Sequence, residues 1–168
     1  MIEEWVVFEL GGALLGVPIS NVTSISEPKK IVAVPRSLSF VEGVTDLHGL
    51  MVPVIDLSKR LGLSLPRAKR TRETRIIVLD LDDMTVSVVV DALSQVLRID
   101  DAEIESPSSF AIPIDSACVL GTVRVRERSV VLLDLSSVLT REERALREHT
   151  YWSQGQSHWG AGLASAPE

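Results

Sequence analysis

The chain has 168 residues, 45% apolar and 24% charged, with a net charge of −6, which fits one globular domain or two small ones sharing a core. Its single cysteine, Cys118, excludes a disulfide framework and a Cys-based zinc site. No apolar run reaches the roughly 18 residues of a membrane span, the start Met1-Ile2-Glu3-Glu4 is acidic where a signal peptide is basic, and the net acidity disfavours a broad nucleic-acid surface.

Val and Ile number 22 and 11, about a fifth of the chain, which points to an all-β protein. Trp5–Leu10 and Leu14–Pro18 flank Gly11-Gly12, a hairpin signal. Ile25 and Ile31–Val34 read as further strand material, punctuated by Pro28 and Pro35. Gly43–Leu47 and Leu50–Ile55 join at His48-Gly49, a second tight turn. Asp56 is placed to cap a short helix over Leu57–Leu61, which Gly62 would stop.

Seven of the 17 Lys and Arg then fall between Lys59 and Arg75. This stretch reads as a phosphate patch or as a solvated linker, and the lack of any stacking aromatic favours the linker. Arg75–Leu81 and Thr85–Val90 flank Asp82-Asp83, and Val96–Ile99, Val119–Val125 and Val130–Leu133 follow. Asp134 is placed to cap Leu135–Leu139. Thr140-Arg141-Glu142-Glu143 has capping-box spacing and predicts a C-terminal helix to about His149. Beyond it, Tyr151, Trp152 and Trp159 lie in a tail that fits either a flexible end or a segment laid back on the fold.

An internal repeat organises these pieces. Gly43 to Leu61 lies over Gly121 to Leu139, pairing Val52 with Val130, Asp56 with Asp134 and Leu57 with Leu135. Upstream, Val17–Val22 lies over Val88–Leu93 at a slightly shorter offset. The predicted layout is one domain over 1–140, with repeats at 5–63 and 75–139, a basic linker at 64–74, and the helix and tail at 141–168. Five or so short strands per copy suit a small barrel, whose closure removes exposed sheet edges.

Catalytic and metal-binding patterns are scarce. There is no GxSxG, P-loop or GxGxxG, and His48, His149 and His158 have no ligand spacing. Asp56 and Asp134 could be paired carboxylates for acid–base work, but an apolar strand before each and a helical stretch after it favour capping. Cys118 between Ala117 and Val119 reads as a buried thiol. The expectation is therefore a non-enzyme without metal or cofactor, working through its surfaces.

At Gly43-Val44-Thr45-Asp46-Leu47-His48-Gly49 and on through Pro53-Val54-Ile55-Asp56-Leu57, the chain resembles the CheW-like domains of bacterial chemotaxis arrays, whose pattern is close to G-V-x-N-L-R-G-x-x-x-P-V-I-D-L. Phe8-Glu9-Leu10, Gly16-Val17-Pro18-Ile19, Val22 and Pro35 resemble the family's earlier segments. Val89-Val90-Asp91, Val96-Leu97 and Leu132-Leu133-Asp134 resemble its later ones, so the likeness spans about residues 5–140. The resemblance implies two small five-stranded SH3-like barrels packed together. It also implies a cytoplasmic, non-catalytic adaptor in receptor arrays at the inner membrane. Such a module joins the helical signalling tip of a methyl-accepting receptor, held in the groove between barrels, to the regulatory domain of a CheA-type histidine kinase. That kinase domain is itself CheW-like, so other CheW-like proteins are implied partners too. Residues pointed to as receptor-groove or kinase contacts are Val22, Ser24, Gly43, Thr45, Asp46, His48, Gly49 and Ala92.

Departures from the pattern matter. The family's Arg is His48, a Glu often found upstream is Ser24, and a common Gly is Ala92. A glycine-rich turn is replaced by Arg124-Val125-Arg126-Glu127-Arg128. Arg and Glu lost together read as a lost ion pair, since one buried charge left alone is costly, and His lacks the fixed fork of Arg. Four functions follow for testing: a receptor–kinase coupler, a divergent paralogue that binds receptor or another CheW-like domain without the kinase, a ligand- or nucleic-acid-binding barrel, and an enzyme with His48 as base.

Overall fold

The computed structural model describes residues 1–35, 39–63, 69–82, 84–106 and 116–138. Ten strands carry the fold: β1 (Ile2–Leu10), β2 (Ala13–Pro18), β3 (Val22–Ser26), β4 (Val41–Leu47), β5 (Leu50–Ile55), β6 (Arg75–Asp80), β7 (Thr85–Val90), β8 (Ala92–Asp100), β9 (Val119–Val125) and β10 (Arg128–Leu133). One short helix, α1 (Leu57–Arg60), follows β5. The expected C-terminal helix and tail lie outside the described residues, as does part of the basic linker.

The turns form where the residues permit a left-handed backbone. Gly11 and Gly12 have φ of 58° and 84°, and His48 and Gly49 have 55° and 85°. Positive φ at both central residues matches the right-handed twist of the flanking strands. After β5, Asp56 Oδ1 accepts from the Lys59 amide at 3.2 Å and starts α1. After β10, Asp134 Oδ1 accepts from the Ser136 amide at 3.1 Å and its hydroxyl at 2.5 Å. The expected helix over Leu135–Leu139 is there a 3₁₀ turn, Leu135–Ser137. Asp134→Ala should cost about 1 kcal/mol, as cap removals do, read as a shift of the urea midpoint with unchanged slope.

The strands make two five-stranded sheets, ordered β8-β1-β2-β10-β9 and β3-β6-β7-β5-β4, which are the two SH3-like barrels. Repeat and barrel do not coincide. Each barrel takes its first hairpin from one copy and its other three strands from the second. The register follows the offsets of the sequence repeat. Val54 lies beside Ser87 where β5 runs parallel to β7, and Leu132 lies beside Gly16 where β10 runs parallel to β2. A shift of 78 residues carries Val54 to Leu132, and one of 71 carries Gly16 to Ser87.

This exchange makes one core serve both barrels. Val6, Phe8, Leu15 and Val17 of one sheet cluster with Ile55, Ile77, Val86 and Val88 of the other. A second cluster, Trp5, Val7, Leu14, Val123, Val130 and Leu132, fills the first barrel alone. β1 supplies both because alternate side chains face opposite sides of a strand.

Two expectations are corrected. Ile31–Val34 is not a strand; only Val32 bridges, with Val44. β8 begins at Ala92, well before Val96, because its exposed residues hide the alternation. Arg60 ties the copies together: its Nε donates to the Val138 carbonyl and its Nη2 to Ser137 O at 3.1 Å, with the guanidinium 5.6 Å over the Phe40 ring.

Candidate interaction surfaces

The chain crosses between sheets twice. From β2 it reaches β3 through the 3₁₀ turn Ile19–Asn21, and from β7 it reaches β8 with Asp91 alone between them. Asp91 holds this seam: its amide donates to Glu9 O at 2.9 Å, and its Oδ2 accepts from the Gly11 amide at 2.7 Å. The strands leaving the seam, β3 and β8, are edge strands of their sheets. Both bear apolar side chains in solvent: Ile25 is 37% exposed on β3, and Leu93 and Val96 are 40% and 51% exposed on β8. Large apolar residues rarely gather in solvent without a partner. The repeat carries Val22 to Leu93 and Ile25 to Val96, so the edges match residue for residue.

The β4–β5 hairpin forms a second surface, at the other edge of the second sheet. Asp46 Oδ1 accepts from the Gly49 amide at 2.7 Å and rigidifies the tip, leaving His48 exposed and Leu50 59% exposed.

The residues singled out from sequence therefore divide. Val22 and Ser24 belong to β3, with Ser24 exposed; Asp46, His48 and Gly49 form the exposed hairpin tip. Gly43, Thr45 and Ala92 are buried. Gly43 lies against the backbone of Val32, Thr45 donates its hydroxyl to Lys30 O at 3.0 Å, and Ala92 pairs with Glu9 in β1. These three shape the surfaces from beneath. Ser24 and His48 stand on opposite edge strands or their turns, and no hydrogen bond or ion pair joins them. Sequence reading missed Ile25, Leu93 and Val96 as surface residues; their apolar character alone says core, and only edge position says otherwise.

Clefts flank the interface between sheets. One, of about 500 Å³, is lined by Leu10, Ile55, Asp56, Lys59 and Asp91 among others; another, of about 270 Å³, is lined by Trp5, Pro18, Leu81, Leu133 and Asp134. The repeat maps Ile55 and Asp56 onto Leu133 and Asp134, so these are the same cleft made twice. Among the described residues no cluster of His, Cys, Asp or Glu could hold a metal, and no helix is long and apolar enough to cross a membrane.

The comparisons with known proteins agree with this architecture. The family model for the CheW-like domain matches residues 4–143. A "Chemotaxis protein CheW" of Klebsiella aerogenes is 31% identical over 144 residues, covering 86% of each chain. One from Bacillus subtilis is 32% identical over 140 residues, covering 83% of this chain and 88% of that one. The crystal structure of scaffolding protein TtCheW from Thermoanaerobacter tengcongensis superposes with a TM-score of 0.75 at 29% identity, covering 85% of this chain and 91% of the other.

Proposed function

This chain belongs to the CheW-like domain family, and we propose from that premise how its surfaces share the work of a chemotaxis scaffold. It is a non-catalytic adaptor that couples chemoreceptors to a CheA-type kinase. The receptor's helical tip lies along the β3 and β8 edges at the seam, with Ile25, Leu93 and Val96 as its apolar anchors. A helix with apolar residues on one face suits such a surface. The kinase's regulatory domain meets the β4–β5 end, where His48 replaces the family's Arg. The protein works in receptor arrays on the cytoplasmic side of the inner membrane.

The observation that carries the reading is the matched pair of apolar edge strands flanking the seam. Ile25→Asp and Val96→Asp should each weaken binding of a receptor-tip fragment at least tenfold, about 1.4 kcal/mol, because each places a charge against an apolar partner. Binding of the kinase domain should stay unchanged. Equal loss for both partners, or for neither, would refute this division. The divergent-paralogue reading rests on His48 and Ser24; it gains if the receptor fragment binds and the kinase domain does not.

A further inference from the structure

The two clefts that flank the interface share a frame but not a charge. The repeat carries Leu10 and Gly11 of the larger cleft to Leu81 and Asp82 of the smaller, and Asp56 and Leu57 to Asp134 and Leu135. Among the described residues the smaller cleft is lined by the acids Glu3, Asp82 and Asp134 and by no cation. The larger is lined by Lys30, Lys59 and Arg70. Lys59 stands where the repeat places Ser137. The same frame therefore forms with and without these cations, so folding does not require them.

The three cations come from separate parts of the chain. Lys30 precedes the Val32–Val44 bridge, Lys59 belongs to α1, and Arg70 lies in the stretch leading to β6. Two of them belong to the basic run between Lys59 and Arg75, and only folding brings Lys30 beside them. All three are exposed, and among the described residues no ion pair or side-chain hydrogen bond engages them. Three carboxylates, Glu42, Asp56 and Asp91, share the wall. Asp56 accepts the Lys59 amide through Oδ1, and Asp91 accepts the Gly11 amide through Oδ2, which leaves Asp56 Oδ2 and Asp91 Oδ1 as acceptors. Ile31, Leu63 and Val89 line the same cleft, half-buried.

This mixture selects a ligand. Lys and Arg without partners suit an anion, and together they suit phosphate. Carboxylate oxygens repel a bare anion but accept from hydroxyls. One molecule satisfies both sets if it carries a phosphate at one end and hydroxyl donors at the other. No aromatic side chain lines the cleft among the described residues, so a nucleobase finds no ring to stack on. At about 500 Å³ the cleft has the size of small-molecule sites.

We propose that the larger cleft binds a small phosphorylated polyol, of the sugar phosphate class. The phosphate meets Lys30, Lys59 and Arg70, and the hydroxyls meet Asp56 and Asp91. The lining includes no residue of β3, β8 or the β4–β5 tip, so the site is separate from the receptor and kinase surfaces and each can fail without the other.

Calorimetric titration of the full-length protein with glucose 6-phosphate, ribose 5-phosphate and glycerol 3-phosphate tests it, with glucose, inorganic phosphate and ADP as comparisons. At least one of the three polyol phosphates should bind with a Kd below about 1 mM. Glucose, inorganic phosphate and ADP should each bind at least tenfold more weakly. Lys59→Ser, which gives the residue of the repeat-equivalent position, and Lys30→Gln should each weaken binding at least tenfold, as loss of a charged hydrogen-bond donor does. Their melting temperatures should stay that of the parent. Arg72→Gln removes an exposed cation of the same basic run that does not line the cleft, and should leave binding unchanged. Binding of none of the three polyol phosphates would overturn the proposal. Inorganic phosphate, glucose or ADP binding as tightly as the best of them would overturn the ligand class. Parental affinity in Lys59→Ser and Lys30→Gln, or an equal loss in Arg72→Gln, would overturn the site.

Discussion

Gly43→Ala should lower the melting temperature by roughly 6 °C or more, about 3 kcal/mol at 2–4 °C per kcal/mol for a chain of this size. Two causes combine. Gly43 has a φ of 153°, where side chains are strained, and a Cβ there would land on the Val32 carbonyl, 2.7 Å from its carbon. The obstacle is backbone, so relief means breaking the paired hydrogen bonds between Val32 and Val44, at 2.8 and 2.9 Å. Gly121 is its counterpart: a Cβ there would meet Ile104 Cγ2 and approach Glu105 O to 2.5 Å. Gly121→Ala should behave similarly, although its φ is not positive, because the Glu105–Thr122 bridge is the same device. Thermal melts of both variants by circular dichroism check this; a shift under about 2 °C, less than 1 kcal/mol, would contradict it for either site.

Phe8→Ala carries the other large effect, about 3–5 kcal/mol, the usual cost of removing a buried aromatic ring. Phe8 is 0% exposed and lies in the cluster shared by both sheets. Because strands of each repeat serve opposite barrels, the loss should loosen both barrels together. Urea unfolding should remain a single transition, with the midpoint lowered and the slope preserved. Two separated transitions would mean that the barrels unfold independently, against the shared core.

Much of this was legible in the sequence. Val-rich runs, Gly-Gly and His-Gly turns and two capping aspartates locate most strands, both tight hairpins and both caps. The repeat offsets survive as real register at Val54–Ser87 and Leu132–Gly16. What the sequence does not carry is which hairpin pairs with which later strands, since a Val run looks the same in either barrel. At the β4–β5 hairpin the exposure was legible: Asp46, His48 and Gly49 form the exposed tip. The burial of Gly43, Thr45 and Ala92 was not legible, and each has a packing role: a close backbone crossing, a buried hydroxyl bond and a seam residue. The apolar edge residues were hidden for a plain reason. Ile25 and Val96 are ordinary strand residues until the sheet order leaves them without a neighbour.

The most direct test of the account is calorimetric titration against two partners from the same cell, first singly and then in succession. One is a receptor signalling-tip fragment and the other the regulatory domain of the CheA-type kinase. An adaptor with separate surfaces should bind each, and protein saturated with one should still bind the other with an unchanged stoichiometry. Mutual exclusion of the two would contradict the division into a seam surface and a hairpin end, and binding of neither would contradict the adaptor itself.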